Sequence, residues 1–492
     1  MTSSASLFRT VRFLPPRPAA VALISLFALL SGCTAVGPEH RVPDVPTGQG
    51  WLSQPVGDVD LAALAAWWRT LGDPDLEKVV DLALERNLDL RQADLNIEAA
   101  RALLVRAEAL SVPVVAANAN AQRRRLSVNS PEYNPQRSPN QTVSDAGLDA
   151  SWEIDLFGSL RRQRESAQAS LQMSEADAAG LRISIAAETA RTYFTLRGAQ
   201  RELAARKASV DALQRIHGLV RDRQRAGDLP VSEVERAQSR LDQARAALPA
   251  IEARRQAAAI ALGLLTGGLP ESLVSLTTSS GAELVLNPLP VGERADILRR
   301  RPDVLSAERK LAAATADTGV ATAELFPKLT LSASAGFRAL GGSALFDSDS
   351  RRGALGPLIT WRVFDGGRVR AEIRAAEARQ EAAAVGYEKA VLTALSDAER
   401  ALNQYDRSLQ SITAQETAVA STRRAAETTR RRYELGDTTL TDTLDAQREL
   451  TDQQALLVQF KTNAASDAVA LFKALGGGWT PSEKPGLSAS RY

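Results

Sequence analysis

Few residues in this chain could do covalent or metal chemistry. Among its 492 residues are two histidines, His40 and His217, and one cysteine, Cys33. That is too little for a histidine-based triad or a transition-metal site. No cofactor, metal or catalytic residue is expected. His217 lies in a charged helical stretch and reads as part of a solvated face. Carboxylates remain, and the most suggestive pair is Asp442 and Asp445. Three residues apart, they share one helix face, just past a glycine turn. Side by side on one face, the two would concentrate negative charge and favour cations. Two solvated acids near a helix N-terminus, favoured there by the helix dipole, fit the same pattern.

Charge and leader narrow the setting. The chain carries 60 basic and 58 acidic side chains, without the basic excess of a nucleic-acid binder. Arg9, Arg12 and Arg17 precede a short apolar run, Ala19 to Leu30, and small residues follow, the pattern of a secretion signal over 1–32. The run ends in Leu30-Ser31-Gly32-Cys33, which resembles a bacterial lipoprotein box. Cleavage before Cys33 would free its thiol for a diacylglycerol. After Cys33 no apolar run reaches the roughly 18 residues of a membrane helix, so any membrane crossing must use strands.

The elements that must position the acids are stated twice. Trp361 to Gly477 repeats Trp152 to Gly268 at a constant offset of 209 residues, without a gap. Trp152 falls on Trp361, and Gly227-Asp228 on Gly436-Asp437. Leu241, Leu248 and Leu262 fall on Leu450, Leu457 and Leu471. Upstream the offset becomes 214, so that Asp89 meets Asp303 and Pro113 meets Pro327. The difference belongs in the intervening loop, where insertions are cheapest.

Each repeat opens on a helix, from about Leu88 to Leu110 in the first, closed by proline. The hydrophobic period then changes to two. Val115, Ala117, Ala119 and Ala121 alternate with polar or smaller neighbours, and so do Leu148, Ala150, Trp152 and Ile154. In the second repeat Leu329, Leu331, Ala333, Ala335 and Phe337 alternate, then, after a Gly/Ser-rich loop, Ile359, Trp361 and Val363. These read as two hairpins, 113–157 and 327–365, of roughly ten-residue strands, long enough to cross a bilayer when tilted. A soluble sandwich has the same period. Four strands cannot close a barrel, and lipid does not tolerate open edges. A membrane reading therefore requires several chains to share one barrel.

A very long helix follows each hairpin. No proline interrupts Gly158 to Gly227 or Gly367 to Gly436, and about 67 residues span roughly 100 Å. The glycines stop these helices, and return helices run to about Leu265 and Leu475. Leu450, Leu457, Ala464 and Leu471, spaced by seven, make a coiled-coil seam. The glycine turns Gly227-Asp228 and Gly436-Asp437 leave bare backbone that a partner's helical tip could approach. Arg236, with Glu233, occupies the first-repeat positions of Asp445 and Asp442. Pairing of Arg236 with an acid of the neighbouring hairpin would hold a closed tip.

Ordered motifs carry a resemblance. Leu298-Arg299-Arg300-Arg301-Pro302-Asp303-Val304 precedes Ala307-Glu308 and Phe326-Pro327. Tyr433-Glu434-Leu435-Gly436-Asp437 comes with Leu444-Asp445-Ala446-Gln447-Arg448, and Lys473-Ala474-Leu475-Gly476-Gly477-Gly478-Trp479 closes the series. With the lipoprotein box and the duplication, the chain resembles the outer-membrane factors, the TolC- and OprM-like exit ducts of tripartite efflux pumps, nearly throughout Cys33 to Trp479. The resemblance implies an α+β membrane protein: a homotrimer with a 12-stranded outer-membrane β-barrel continuous with a periplasmic α-helical barrel. It also implies lipid anchoring, a periplasmic adaptor (membrane fusion protein) docked at the tips, an energised inner-membrane pump of RND type, and outer-membrane lipid around the strands. The family's periplasmic gate falls on Asp442 and Asp445. Tyr433 matches a tyrosine that helps latch the closed tip. The arginine expected five residues later is replaced by Thr438, and Thr441 stands where OprM-like members have a gate leucine.

The expected organisation is a signal peptide over 1–32, a lipidated extended segment over 33–75, a first repeat over 76–268, a connector over 269–297, a second repeat over 298–478 and a loose tail over 479–492. The expected function is passive efflux of small molecules such as drugs. A poreless periplasmic scaffold or adaptor competes with it. The strand-rich stretch that adaptors carry between their hairpin halves is not found here. Metal efflux and type I secretion stay open as variants of the duct.

Overall fold

A computed structural model describes residues 35–48, 50–52, 57, 60–277 and 286–480. The expected signal segment, the lipidated Cys33 and the tail beyond 480 lie outside the described residues. The chain divides into two compact units. One takes the N-terminal segment to Arg41, Leu103–Gln168 and Ala312–Glu381; the other takes Val42–Ala102, Ala169–Leu311 and Ala382 onward.

The first unit holds one antiparallel sheet. Its strands are β1 (Val114–Arg125), β2 (Asn140–Ile154), β3 (Lys328–Leu340) and β4 (Arg351–Thr360), in that spatial order. The register sorts side chains by face. Val115, Ala150, Ala333 and Leu355 form one row, and Trp152, Leu331 and Pro357 another, all on an apolar face. The opposite face is polar. There Asp145 pairs with Arg338 at 2.8 Å and with Arg352 at 2.7 Å, and Asn118 bonds Asp149. Every residue of β1 is exposed.

β4 departs from expectation. It occupies Arg351–Thr360, much of it in the stretch read as a Gly/Ser-rich loop, and Trp361 and Val363 lie beyond its end. Gly353, Gly356 and Pro357 obscure the alternation. Proline is tolerated there because β4 is an edge strand of this chain's sheet.

The repeat is visible in detail at the strand ends. Trp152 Nε1 donates to the Ser111 carbonyl, and Trp361 Nε1 to the Leu325 carbonyl, each at 3.0 Å, while both rings stay exposed. Ser111 and Leu325 are themselves equivalent under the 214-residue offset. Beside this end of the sheet the N-terminal segment is strapped down. Val36 N–H donates to the Phe157 carbonyl, and Arg162 Nε to that of Val36. Gly37, at φ +88°, lies so close to Gly319 that a Cβ would fall 2.5 Å from its Cα.

The second unit is helical. It includes α1 (Leu61–Ala65), a 3-10 turn (Trp67–Leu71), α2 (Pro74–Arg86) and the greater part of α3 (Leu88–Ala109), whose end from Leu103 belongs to the first unit. Asp73 caps α2 by accepting from the Asp75 and Leu76 amides, with Pro74 at the first turn. The long helices are α4 (Ser159–Arg225) and α9 (Arg368–Leu435). Between them lie α5 (Val231–Ala246), α6 (Leu248–Leu265), α7 (Arg294–Arg300) and α8 (Pro302–Ala323); α10 (Leu440–Ala474) follows. The return leg of the first repeat is thus broken, contrary to the expected continuous helix, because Pro249 starts a new helix at Leu248. The second return leg is unbroken for 35 residues. Its seam is buried at Leu450, Ala464 and Leu471, with Leu457 half-buried. Around Trp67, stacked on Phe472 at 4.9 Å, the main core gathers Leu76, Val80, Leu196, Leu262, Ile297 and Leu475. Among the described residues no helix is long and apolar enough to cross a membrane.

Candidate functional site at the helical tips

Both long helices end by the same backbone device. At Gly227 (φ +87°) the Asp228 amide bonds the Arg223 carbonyl and the Gly227 amide that of Gln224. At Gly436 (φ +83°) the Asp437 amide bonds Arg432 and the Gly436 amide bonds Tyr433. These paired bonds close a Schellman stop, which needs the left-handed conformation that glycine adopts freely. Both glycines are exposed, with nothing within 4 Å of an added Cβ. Asp228 and Asp437 are exposed beside them.

Behind the turns four helices share a small core. Val210, Leu213, Ile216 and Val220 of α4 meet Ala237 and Leu241 of α5, Tyr433 of α9, and Leu440 and Leu444 of α10. Tyr433 is thus a core residue of the tip, with the Arg223 guanidinium 5.6 Å from its ring centroid. Burial pushes its hydroxyl pKa above the usual value.

The predicted gate acids are differently engaged. Asp442 closes a capping box: Thr439 Oγ1 accepts from the Asp442 amide, and the Asp442 carboxylate accepts from the Thr439 amide at 3.2 Å. Hydroxyls of Thr439 and Thr438 add bonds at 2.6 and 3.0 Å. The Thr439 and Thr438 hydroxyls, with the Thr439 amide, hold its pKa below the usual carboxylate value. Asp445 stands 3.7 Å from Arg240 of α5. Arg236 donates to Thr441 Oγ1 at 2.9 Å and pairs with Glu233 on its own helix at 3.3 Å. Within one chain, then, Arg236 meets the hydroxyl of the other hairpin, and Arg240 meets its acid. The two return helices start side by side and run parallel, so residues 236 and 240 face 441 and 445.

Arg240 was missed because nothing in the sequence fixes how those helices align. The Thr439-x-x-Asp442 spacing of a capping box was there to be read.

The signature motifs are joints. Arg301 pairs with Asp303 at 2.7 Å and Asp397 at 3.4 Å, and donates to the Ala474 carbonyl at 3.4 Å. Although burial pushes the Asp303 carboxyl up, the Arg301 guanidinium holds it below its ordinary value. Asn87, its counterpart in the first repeat, donates to the Leu265 carbonyl at 2.9 Å. Gly476 makes room for the Arg300 carbonyl as Gly267 does for that of Arg86, and Trp479 Nε1 donates to Arg300 O at 2.8 Å. These residues seat the repeat ends.

A family model described as "Outer membrane efflux protein" matches residues 79–268 and 294–477, one segment in each repeat. The chain belongs to this family. Membership makes it an outer-membrane efflux protein; the family is one of transport ducts, not of enzymes. The chain is similar to the pyoverdine export outer membrane protein OpmQ of Pseudomonas aeruginosa, 32% identical over 473 residues that cover 94% of this chain and 98% of that protein. It is also similar to the toluene efflux pump outer membrane protein TtgI of Pseudomonas putida, 32% identical over 470 residues covering 94% and 99%. Among solved structures, that of the outer-membrane channel OprN superposes with a TM-score of 0.84 at 35% identity, over 91% of this chain and all of that one.

Proposed function

We propose that three copies of this chain close one twelve-stranded barrel in the outer membrane and serve as the passive exit duct of a tripartite, RND-type pump. One observation carries this reading. The four-stranded sheet has an apolar face, yet β1 and β4 have partners on one side only. Open edges and unpaired backbone groups are not tolerated in lipid, so β1 needs the β4 of another copy. Three chains supply twelve strands, within the range of outer-membrane barrels. Trp152 and Trp361, with satisfied N–H groups and exposed rings, suit the aromatic girdle at the inner interface. Cys33 is the proposed lipid attachment point, and the chain beside it is held from Ala35 onward at that same end of the sheet.

The tips are the gate. Asp442 and Asp445 from three copies ring the axis; Tyr433 anchors the tip core; Arg236 on Thr441 and Glu233, with Arg240 on Asp445, tie the two hairpins together in the closed state. Gly227-Asp228 and Gly436-Asp437 are the contacts for the periplasmic adaptor, which links the duct to the inner-membrane pump. Relatives named for pyoverdine, toluene and antibiotic export support small organic molecules as cargo.

Single-channel conductance in a planar bilayer tests this, with wild type beside Asp442→Ala/Asp445→Ala. A low wild-type conductance that rises in the double variant is expected. An unchanged conductance would move the gate elsewhere, and no conductance from a folded oligomer would refute the duct.

A further inference from the structure

The arginines of the sheet fall into two classes. On the polar face each has an acid: Arg338 and Arg352 share Asp145, and Arg124 stands 3.7 Å from Glu132. On the apolar face three have none. Arg123 and Arg125 of β1 and Arg351 of β4 are exposed, and among the described residues no carboxylate lies within 4.0 Å of any of them. Their place in the register is specific. The apolar face starts at the row Ile154–Leu329, continues to Ala119–Ala146–Phe337, and then changes. Arg351 pairs with Phe337, Arg123 with Thr142 and Arg125 with Asn140. This is the end of the sheet with the β1–β2 and β3–β4 turns, opposite the helix connections. Phe346 from the second turn packs edge-on against Phe337, 5.6 Å between centroids, at the same level.

A charge on a lipid-facing strand is costly at mid-bilayer and nearly free at the interface. On the barrel reading these three lie toward the outer end of the apolar face, Arg351 in its last row and Arg123 and Arg125 beyond it, where lipid phosphate can supply the counter-charge that the chain does not. We propose that Arg123, Arg125 and Arg351 bind the phosphate groups of outer-leaflet lipid, with the Thr142 hydroxyl and the Asn140 amide as further donors. Guanidinium groups match phosphate oxygens two at a time. Arg123 and Arg125 are roughly 6.6 Å apart along one face, which suits a headgroup with more than one phosphate. The inference rests on the barrel reading above. That reading sets β1 of one copy beside β4 of the next, so the strand of Arg351 lies next to that of its neighbour's Arg123 and Arg125, and three such seams surround the trimer.

The test compares wild type with Arg123→Gln/Arg125→Gln/Arg351→Gln in mixed detergent micelles, using native mass spectrometry to count bound bis-phosphorylated lipid A and its dephosphorylated form. Wild type is expected to prefer the phosphorylated lipid. The triple variant is expected to bind it about a hundredfold more weakly, at roughly fivefold per arginine, and a triple lysine variant to retain most of the binding. Equal binding of the two lipids, or binding unchanged by the glutamines, overturns the proposal. Displacement of the lipid by millimolar inorganic phosphate also overturns it, since the site would then read free phosphate. A glutamine variant that keeps its lipid but loses its trimer assigns the arginines to the contact between copies instead. Conductance of the same preparation separates this inference from the one beneath it: a protein that conducts but holds no phosphorylated lipid removes the lipid site alone.

Discussion

The two helical hairpins repeat one pattern and differ in continuity. The second return leg, α10, is continuous and opens with the Thr439–Asp442 capping box. The first opens at Pro230 with no side-chain cap and is interrupted at Leu248-Pro249. Pro230 and Thr439 are equivalent under the 209-residue offset, as are Pro249 and Val458. At the other end of the return legs, Asn87 seats the first with a neutral amide and Arg301 seats the second with an ion-paired guanidinium. The two repeats share the path of the chain, and one return leg is interrupted where the other is continuous.

The sharpest way to break the contrast is to exchange the prolines. Val458→Pro places proline inside α10, where the lost hydrogen bond and the ring clash cost about 3 kcal/mol. Pro249→Val should change stability by less than about 1 kcal/mol. Thermal unfolding followed by far-UV circular dichroism distinguishes the two, and equal effects would show that the proline makes no difference between the two legs. Next comes the seat of each leg. Arg301→Ala strands Asp303 and the Ala474 carbonyl, while Asp397 keeps its pair with Arg400 at 2.7 Å. Because both acids are partly exposed, the loss should be about 2–3 kcal/mol rather than the full cost of a buried charge. Asn87→Ala should cost about 1 kcal/mol. The same melts measure both.

A smaller effect is expected at the cap. Thr439→Ala should destabilise by about 1 kcal/mol, while Pro230→Ala loses no cap. The cap also carries a pH signature. The folded Asp442 carboxyl sits below its unfolded value, so its stabilisation is present above the ordinary carboxylate pKa and is lost as pH falls through the folded value. The gap in melting temperature between wild type and Asp442→Asn should therefore close below about pH 4. A gap that widened on acidification would contradict the assigned hydrogen bonds. The smallest effect belongs to the bridge between hairpins. Arg240→Ala breaks an exposed pair worth under about 1 kcal/mol and should barely move the melt, yet raise single-channel conductance more than Arg236→Ala does. The reverse order would return the closing contact to Arg236.

Much of the architecture was legible because two signals are periodic and long. Alternation in Leu329–Phe337 and unbroken helical composition from Ser159 to Arg225 each needed no knowledge of their neighbours. β4 has no clear signal in the sequence because glycines and Pro357 suit an edge strand and read equally as a loop. The break at Leu248 follows from Pro249, which has Val458 as its counterpart in the second repeat. At the tips the glycines announce themselves by type. The Arg240–Asp445 pair does not, because it depends on how two helices more than two hundred residues apart in sequence align. Burial of Tyr433 in the tip core likewise needs four helices at once.

The strap at the start of the chain sets an order of events. Val36 and Gly37 are held by Phe157, Arg162 and Gly319, and Gly319 belongs to the second repeat. The Gly37–Gly319 approach therefore cannot form until the second repeat has been made and has folded back. Long-range closure of this kind is slow, so a segment made early is fixed late.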